Sequence, residues 1–293
     1  MKKKIIFFLA GPKAFSCLQF FCNTFGPEII HKVYSYKSLE NFWFNDLKFF
    51  CSKNKILFSN STVSLTEDNQ FLKFAIGWQY LIKNYENLII FHDSLLPKYK
   101  GFAPLVNGLI NGDKIFGVTS LIASKKYDEG DIIYQNKITI KYPIKIQDLI
   151  EKIIPLYHKQ LNKIYTNYLN SKKILLKKQK KTTETYGVWL NDNDYFIDWS
   201  WPSEKIFNFI NAVGYPYKFA RTRFSDDILI IKDSKIIRDK FIVNRERHIG
   251  KIFSVFERSF TVICGEGLLM ITDFSFPNKS KTININLRTK FDY

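Results

Sequence analysis

The feature that most constrains this chain is an alternation of short apolar runs with helical stretches over its first half. Ile5 to Ala10, Val33 to Tyr36 and Ile56 to Phe58 read as short strands, and Ala14 to Asn23 reads as a helix. Phe71 to Ile76 is a further apolar run ended by Gly77-Trp78, and Leu88 to Phe91 is another, closed by His92-Asp93-Ser94. Strands alternating with helices specify an α/β fold, a Rossmann-like, mostly parallel sheet with ligands at the strand C-termini. No GxGxxG and no GxxxxGK[ST] occurs, so dinucleotide and ATP-phosphate loops are unsupported.

Leu105 to Ile110 is helical in pattern and stops at Asn111-Gly112; Gly117 to Ala123 and Asp131 to Ile140 read as strands. Asp148 to Leu169 is a long amphipathic helix, with Leu149, Ile153, Leu156 and Leu161 near helical spacing. Lys172 to Lys181 carries six lysines in ten positions and reads as an exposed connector. Beyond it the pattern changes. Ser203 to Val213 reads as a helix with a capped Ser203-Glu204 start. Ile228 to Lys232, Lys251 to Phe256, Phe260 to Cys264 and Leu268 to Asp273 read as short strands, the last two joined by a Gly265-Glu266-Gly267 hairpin turn. The expectation is two domains: residues 1–185, and a smaller, mostly β, barrel-like domain over 186–293.

Composition narrows the class. Of 293 residues 46% are apolar and only 22 are Gly or Pro, which excludes disorder and collagen-like repeats. No run of 18 uncharged apolar residues appears, so no spanning helix and no membrane partner is expected. Met1 to Ala10 has the outline of a secretory signal. Its apolar run is short, however, and Phe15 is bulky where cleavage before Cys17 would need small residues, so a buried first strand is preferred. The four cysteines show no CxxC and no metal-like spacing with His; a reducing, cytoplasmic setting and no metal are expected. The formal charge of +17 fits either an Ile-, Asn- and Lys-rich composition bias or attraction to an anionic substrate, and charge alone does not choose.

The stretch that carries chemistry runs from His92 to Pro104: a His just past a strand, on a loop rich in Pro and Gly. A lone His there is ordinarily structural, and Asp128 before Glu129-Gly130 is ordinarily a turn residue. Taken together, HxSLLPxYxGxxP, then NGD, then GVT, then DxGDII 36 residues after the His resemble the 10-formyltetrahydrofolate-dependent formyltransferase family. That family includes methionyl-tRNA, glycinamide ribonucleotide and sugar-nucleotide N-formyltransferases. Ile197-Asp198-Trp199 and Gly214-Tyr215-Pro216-Tyr217 extend the likeness more loosely.

The resemblance implies transfer of a formyl group from folate N10 to a neutral amine through a tetrahedral oxyanion, with His92 and Asp128 as the catalytic residues. His suits donation to the oxyanion or proton transfer; Asp can orient the His and relay the amine proton. One position departs from the pattern: the family motif NxHxSLLP has Asn where this chain has Ile90, which cannot donate. Losing one oxyanion donor typically costs about 2.7–4 kcal/mol. Gln79 is the candidate replacement; slower catalysis by His92 and Asp128 alone, or a catalytically weak binding protein, are the other readings. Folate contacts map onto Gln79, Tyr80, Leu81 and Ile82, while Trp78 reads equally as core.

KYKGFAPL resembles the sugar enzymes' form of this loop, so the expected partner is a nucleotide-linked amino sugar, with nucleic acid disfavoured and methionyl-tRNA the alternative. Lys98 and Lys100 are candidates for the phosphates, Tyr215 and Tyr217 for the base, and Trp199 and Trp201 for the domain junction. A homodimer is expected only by analogy with similar sugar enzymes.

Overall fold

The apolar runs of the first half pair into one sheet. In the computed structural model, which describes residues 3–38, 41–63, 66–180, 183–224, 227–277 and 285–292, Ile5–Leu9 (β1) is fully buried. Parallel neighbours flank it on both sides: Ile30–Ser35 (β2) on one, Leu72–Ile76 (β4) on the other. Leu57–Asn60 (β3) extends the β2 edge and Leu88–His92 (β5) extends the β4 edge, both parallel. Ile115–Ile122 (β7) then pairs antiparallel with β5, and Ile132–Thr139 (β8) antiparallel with β7. The order β3-β2-β1-β4-β5-β7-β8 places the change of winding direction between β1 and β4, where open α/β sheets form ligand crevices. Gly77 closes this point: its φ is +63°, and a Cβ would lie 2.1 Å from Ala10 O, so only Gly fits.

Aromatic side chains fill one face of this sheet. Phe7, Phe74 and Phe91 form a ladder across β1, β4 and β5 with ring centroids 5.6 and 6.1 Å apart. Gly11–Phe25 (α1) adds Phe21, and Ile146–Leu169 (α4) adds Tyr157 and Tyr165 to the same cluster. Alternation along β5 sends Leu88, Ile90 and His92 to the opposite face. A short helix absent from the sequence reading, Phe44–Lys53 (α2), buries Phe44, Leu47 and Cys51, with Phe44 edge-on to Phe58.

The chain divides into two compact units. One comprises Met1–Gly101, Ile115–Thr139 and Ile150–Gly187; the other comprises Phe102–Lys114, Ile140–Leu149 and Val188–Tyr293. The second therefore takes two excursions from the first half, one of them the helix Pro104–Ile110 (α3), which packs on Ser203–Ala212 (α5). Its sheet is antiparallel, ordered Ala220–Phe224 (β10), Asp227–Ile237 (β11), Leu268–Ser275 (β14), Ser259–Ile263 (β13), Ile252–Phe256 (β12). Segment 285–292 bridges to Arg223 on β10 through Asp292 and to Lys251, next to β12, through Lys290, giving the expected barrel-like character. Phe291 is its plug, against Trp199, Phe224 and Phe260.

Two local expectations are corrected here. Ser203 is not a cap: Pro202 holds that position, and the Ser203 N–H is bonded to Glu266 O at 2.8 Å. Trp199, read from the sequence as a junction residue, is a fully buried core residue of the second unit, with Nε1 donating to Thr222 Oγ1 at 2.9 Å. Trp201 packs edge-on to Phe209 in the same unit, beneath the Lys205 ammonium.

Candidate active site

β5 delivers His92 to the sheet's C-terminal end, and the next nine residues fold back beneath its ring. Thr119, the register partner of His92 on β7, donates to Ser94 O at 2.6 Å and accepts from Leu96 N at 3.2 Å. Gln135 on β8 donates to both Leu96 O and Thr119 Oγ1, and Ser94 Oγ donates to Lys98 O. The opposite alternation takes Asp93 to the other face, onto Lys13 of α1 and the Tyr157 hydroxyl of α4. Burial first, then the Asp93 carboxylate, hold the Tyr157 hydroxyl well above the ordinary tyrosine range, so it stays a donor.

The turn brings Tyr99, at φ +53°, round so that its carbonyl lies 2.7 Å from His92 Nε2. A carbonyl only accepts, so Nε2 carries the hydrogen. Nδ1 is then the ring nitrogen left for chemistry, and it faces Asp128 Oδ2 at 3.5 Å. The two residues that the motif joined from 36 positions apart meet here, 7% and 8% exposed. Asp128 Oδ2 also accepts from the Gly101 N–H at 2.8 Å, so the loop that aims the imidazole also anchors the carboxylate.

A second layer comes from a segment the sequence reading treated as a connector. Lys177 pairs with Ile132 of β8 through both backbone groups, 2.8 and 2.9 Å. Two residues on, Gln179 Nε2 donates to Asp128 O at 2.6 Å and to Gly130 O at 2.9 Å. Further along, the Thr185 hydroxyl accepts from Tyr99 N and its carbonyl accepts from Lys100 N, both at 2.8 Å. Lys100–Gly101 (β6) and Tyr186–Gly187 (β9) complete this contact as a short parallel pair. The lysine-rich stretch is thus exposed in its side chains but pinned by its backbone and by Gln179; Lys181 lies outside the described residues. Neither Gln179 nor Thr185 carries a motif, because each works through backbone carbonyls and amides that leave no residue pattern.

Other expected residues fall in varied places. Lys100 is 4% exposed, with Nζ 2.7 Å from Glu184, so its charge is matched within the protein. Burial works against that charge, but the Glu184 bond outweighs it and holds the ammonium above its ordinary range. Lys98 is exposed on the turn. Ile90 is half-buried and packs against Leu96, Leu121 and Ile132 on one side and the Phe8–Tyr34 cluster on the other. Gln79 accepts from the Tyr36 hydroxyl at 2.9 Å, and no contact among the described residues joins it to His92. Tyr80 and Leu81 are each about half exposed, whereas Ile82 is buried. Trp78 packs edge-on to Phe8, as core. Tyr215 and Tyr217 belong to the second unit; Tyr215 is exposed, and the half-buried Tyr217 donates its N–H to Gly214 O.

Residues 75–165 match the model of the formyl transferase family, and residues 190–286 match that of the formyl transferase C-terminal domain. The chain belongs to the formyl transferase family. The methionyl-tRNA formyltransferase of Clostridium novyi (strain NT) is 30% identical over 188 residues, 64% of this chain and 59% of that one. That of Finegoldia magna is 26% identical over 211 residues, 70% and 64% respectively. The matched part of the chain therefore spans about three fifths of these relatives. Among solved structures, the N-formyltransferase from Helicobacter canadensis with folinic acid and dTDP-3-aminofucose superposes with TM-score 0.71 at 21% identity, over 94% of this chain and all of that one. WlaRD, a sugar 3N-formyl transferase studied with dTDP and 5-N-formyl-THF, gives 0.70 at 22% identity, over 95% and 99%. At these identities the structural likeness is one of fold. No helix among the described residues is long and apolar enough to cross a membrane.

Proposed function

We propose that this formyl transferase family member moves a formyl group from 10-formyltetrahydrofolate to the amine of a nucleotide-linked amino sugar. The observation that carries the reading is the buried His92–Asp128 pair, built from two halves of one motif, with a single ring nitrogen left for proton exchange. The amine nitrogen attacks the formyl carbon, the bond to folate N10 breaks, and one amine proton ends on N10. Unprotonated, His92 Nδ1 takes that proton beside the Asp128 carboxylate; protonated, it donates to the oxyanion or returns the proton to N10. The donor is assigned to the loop after β4, where Tyr80 and Leu81 are open and can cover a pterin.

The sugar nucleotide is favoured over tRNA by the KYKGFAPL loop, which has the sugar enzymes' form, and the two sugar N-formyltransferase structures superpose with TM-scores of 0.71 and 0.70, against 0.54 for a methionyl-tRNA formyltransferase from Clostridium thermocellum. The second reading, methionyl-tRNA, rests on relatives of that name at 26–30% identity over part of their length. Donor turnover in the presence of dTDP-amino sugars or of unformylated initiator tRNA tests the choice. Transfer to a sugar nucleotide, reduced at least a hundredfold in His92→Asn and Asp128→Asn variants of unchanged fold, is the expected result. Transfer to tRNA alone would replace this reading with the second, and undiminished turnover in both variants would remove the site.

A further inference from the structure

We infer that Gln179 is a positioning residue for this reaction, acting through Asp128; the inference rests on the formyl-transfer reading above. Gln179 falls between the two spans matched by the family models, 75–165 and 190–286. Its amide nitrogen spans Asp128 O and Gly130 O, the carbonyls on either side of Glu129, at 2.6 and 2.9 Å. Two carbonyls on one side leave no alternative orientation, since the amide oxygen would repel both. The oxygen is instead buried with no partner among the described residues, so Gln179 meets this loop only with its donor.

The loop needs such a clamp. Asp128 sits at φ +53°, a left-handed conformation that costs most residues with a Cβ and that Asp tolerates better than most. Gly130 passes so close to β7 that a Cβ there would stand 1.7 Å from Ile122 O, which fixes the far end. Between these points a shift of the Asp128 backbone would carry the carboxylate off both His92 and the Gly101 N–H, and Gln179 opposes that shift by holding the Asp128 carbonyl. Its own place is set by the Lys177–Ile132 backbone pair two residues earlier.

The test uses the full chain with Gln179→Leu, Gln179→Lys, Asp128→Asn, and Gln179→Leu combined with Asp128→Asn. Gln179→Leu is expected to lower kcat about ten- to a hundredfold, with KM for donor and acceptor within about threefold, as misplacement of a reacting group does. Gln179→Lys keeps a donor of similar reach and is expected to recover most of that loss. On top of Asp128→Asn, Gln179→Leu is expected to cost less than about threefold, because its effect runs through the missing carboxylate. A readout independent of turnover is hydrogen exchange at the Gly101 amide, which Asp128 Oδ2 protects. It is expected to speed up at least about tenfold in Gln179→Leu, while the Lys100 amide, bonded to Thr185, changes little.

An equal loss in the Asp128→Asn background, an unchanged kcat, or acceleration of both amides together would overturn the inference. If the wild-type chain transfers no formyl group, the functional reading fails, and the Gly101 amide alone still decides whether Gln179 holds the Asp128 loop.

Discussion

At the residue scale the motif pointed to His92 and Asp128, which the fold brings within 3.5 Å of each other, and not to what surrounds them. His92 and Asp128 were legible because each sits in a residue string of its own, HxSLLP at the end of β5 and DxGDII leading into β8. The burial of Lys100 was not legible because its partner, Glu184, lies 84 positions away and nothing local announces a buried ammonium. Ile90 was legible as a departure, and the structure gives its setting: an aliphatic side chain two residues before His92 on the same face, wedged between two apolar clusters. Opposing effects follow for Ile90→Asn. An amide at this position adds a donor near the ring, expected to raise kcat severalfold, with an upper bound of about a hundred- to a thousandfold from a fully formed oxyanion contact. The same amide replaces apolar packing with a polar group, expected to cost about 1–3 kcal/mol of stability. Steady-state kinetics and urea unfolding of one variant read both, and a fall in kcat would mean that the site has closed around the isoleucine.

Elements were legible where burial was continuous. β1, β4 and β5 are largely buried and read as apolar runs, as interior parallel strands do, the run of β4 being interrupted only by the buried Lys73. α2 escaped because Phe49, on its exposed side, blurs the Phe44–Leu47–Cys51 stripe over only ten residues. The α1–α4 contact was also invisible, and it contains a titratable joint. His158 of α4 stacks on Phe20 of α1 at 4.3 Å and places Nε2 3.1 Å from Ser16 Oγ. Burial lowers its pKa below the ordinary 6.5, a hydrogen bond with the Ser16 backbone only partly opposing this. The unfolded chain therefore binds the proton first: the neutral ring's contribution is complete above pH 6.5 and is lost as pH falls below that value, through the lower folded pKa. His31, lowered mainly by burial, acts in the same direction. Thermal melts should show a drop in Tm from pH 7.5 to pH 5, and His158→Phe, which keeps the stack, should show a smaller drop. Equal slopes in the two proteins would mean that this joint does not govern acid sensitivity.

For the whole molecule, the sequence showed a change of pattern after the long helix but not the interleaving of the two units. α3 begins three residues after Gly101, the residue of β6 that is bonded to Asp128, yet it packs on α5, about a hundred positions later. No periodicity encodes that pairing, because each helix is amphipathic by itself and the partner is chosen only in three dimensions. The consequence is measurable. A chain ended at Gly187 retains α3 but loses α5 and the five-stranded sheet, leaving Leu105, Val106 and Leu109 without the surface α5 gives them. Each exposed aliphatic side chain forfeits about 1.5–3 kcal/mol of burial. Residues 1–187 are therefore expected to bind a hydrophobic dye and to self-associate on size exclusion. Replacing Leu105 and Leu109 by Ser in the shortened chain should reduce both signals, whereas the same pair in the full chain should destabilise it, each Leu having lost a filled site. A shortened chain that ran as a compact monomer and bound no dye would show that α3 does not need α5, and that the two excursions into the second unit are incidental to its stability.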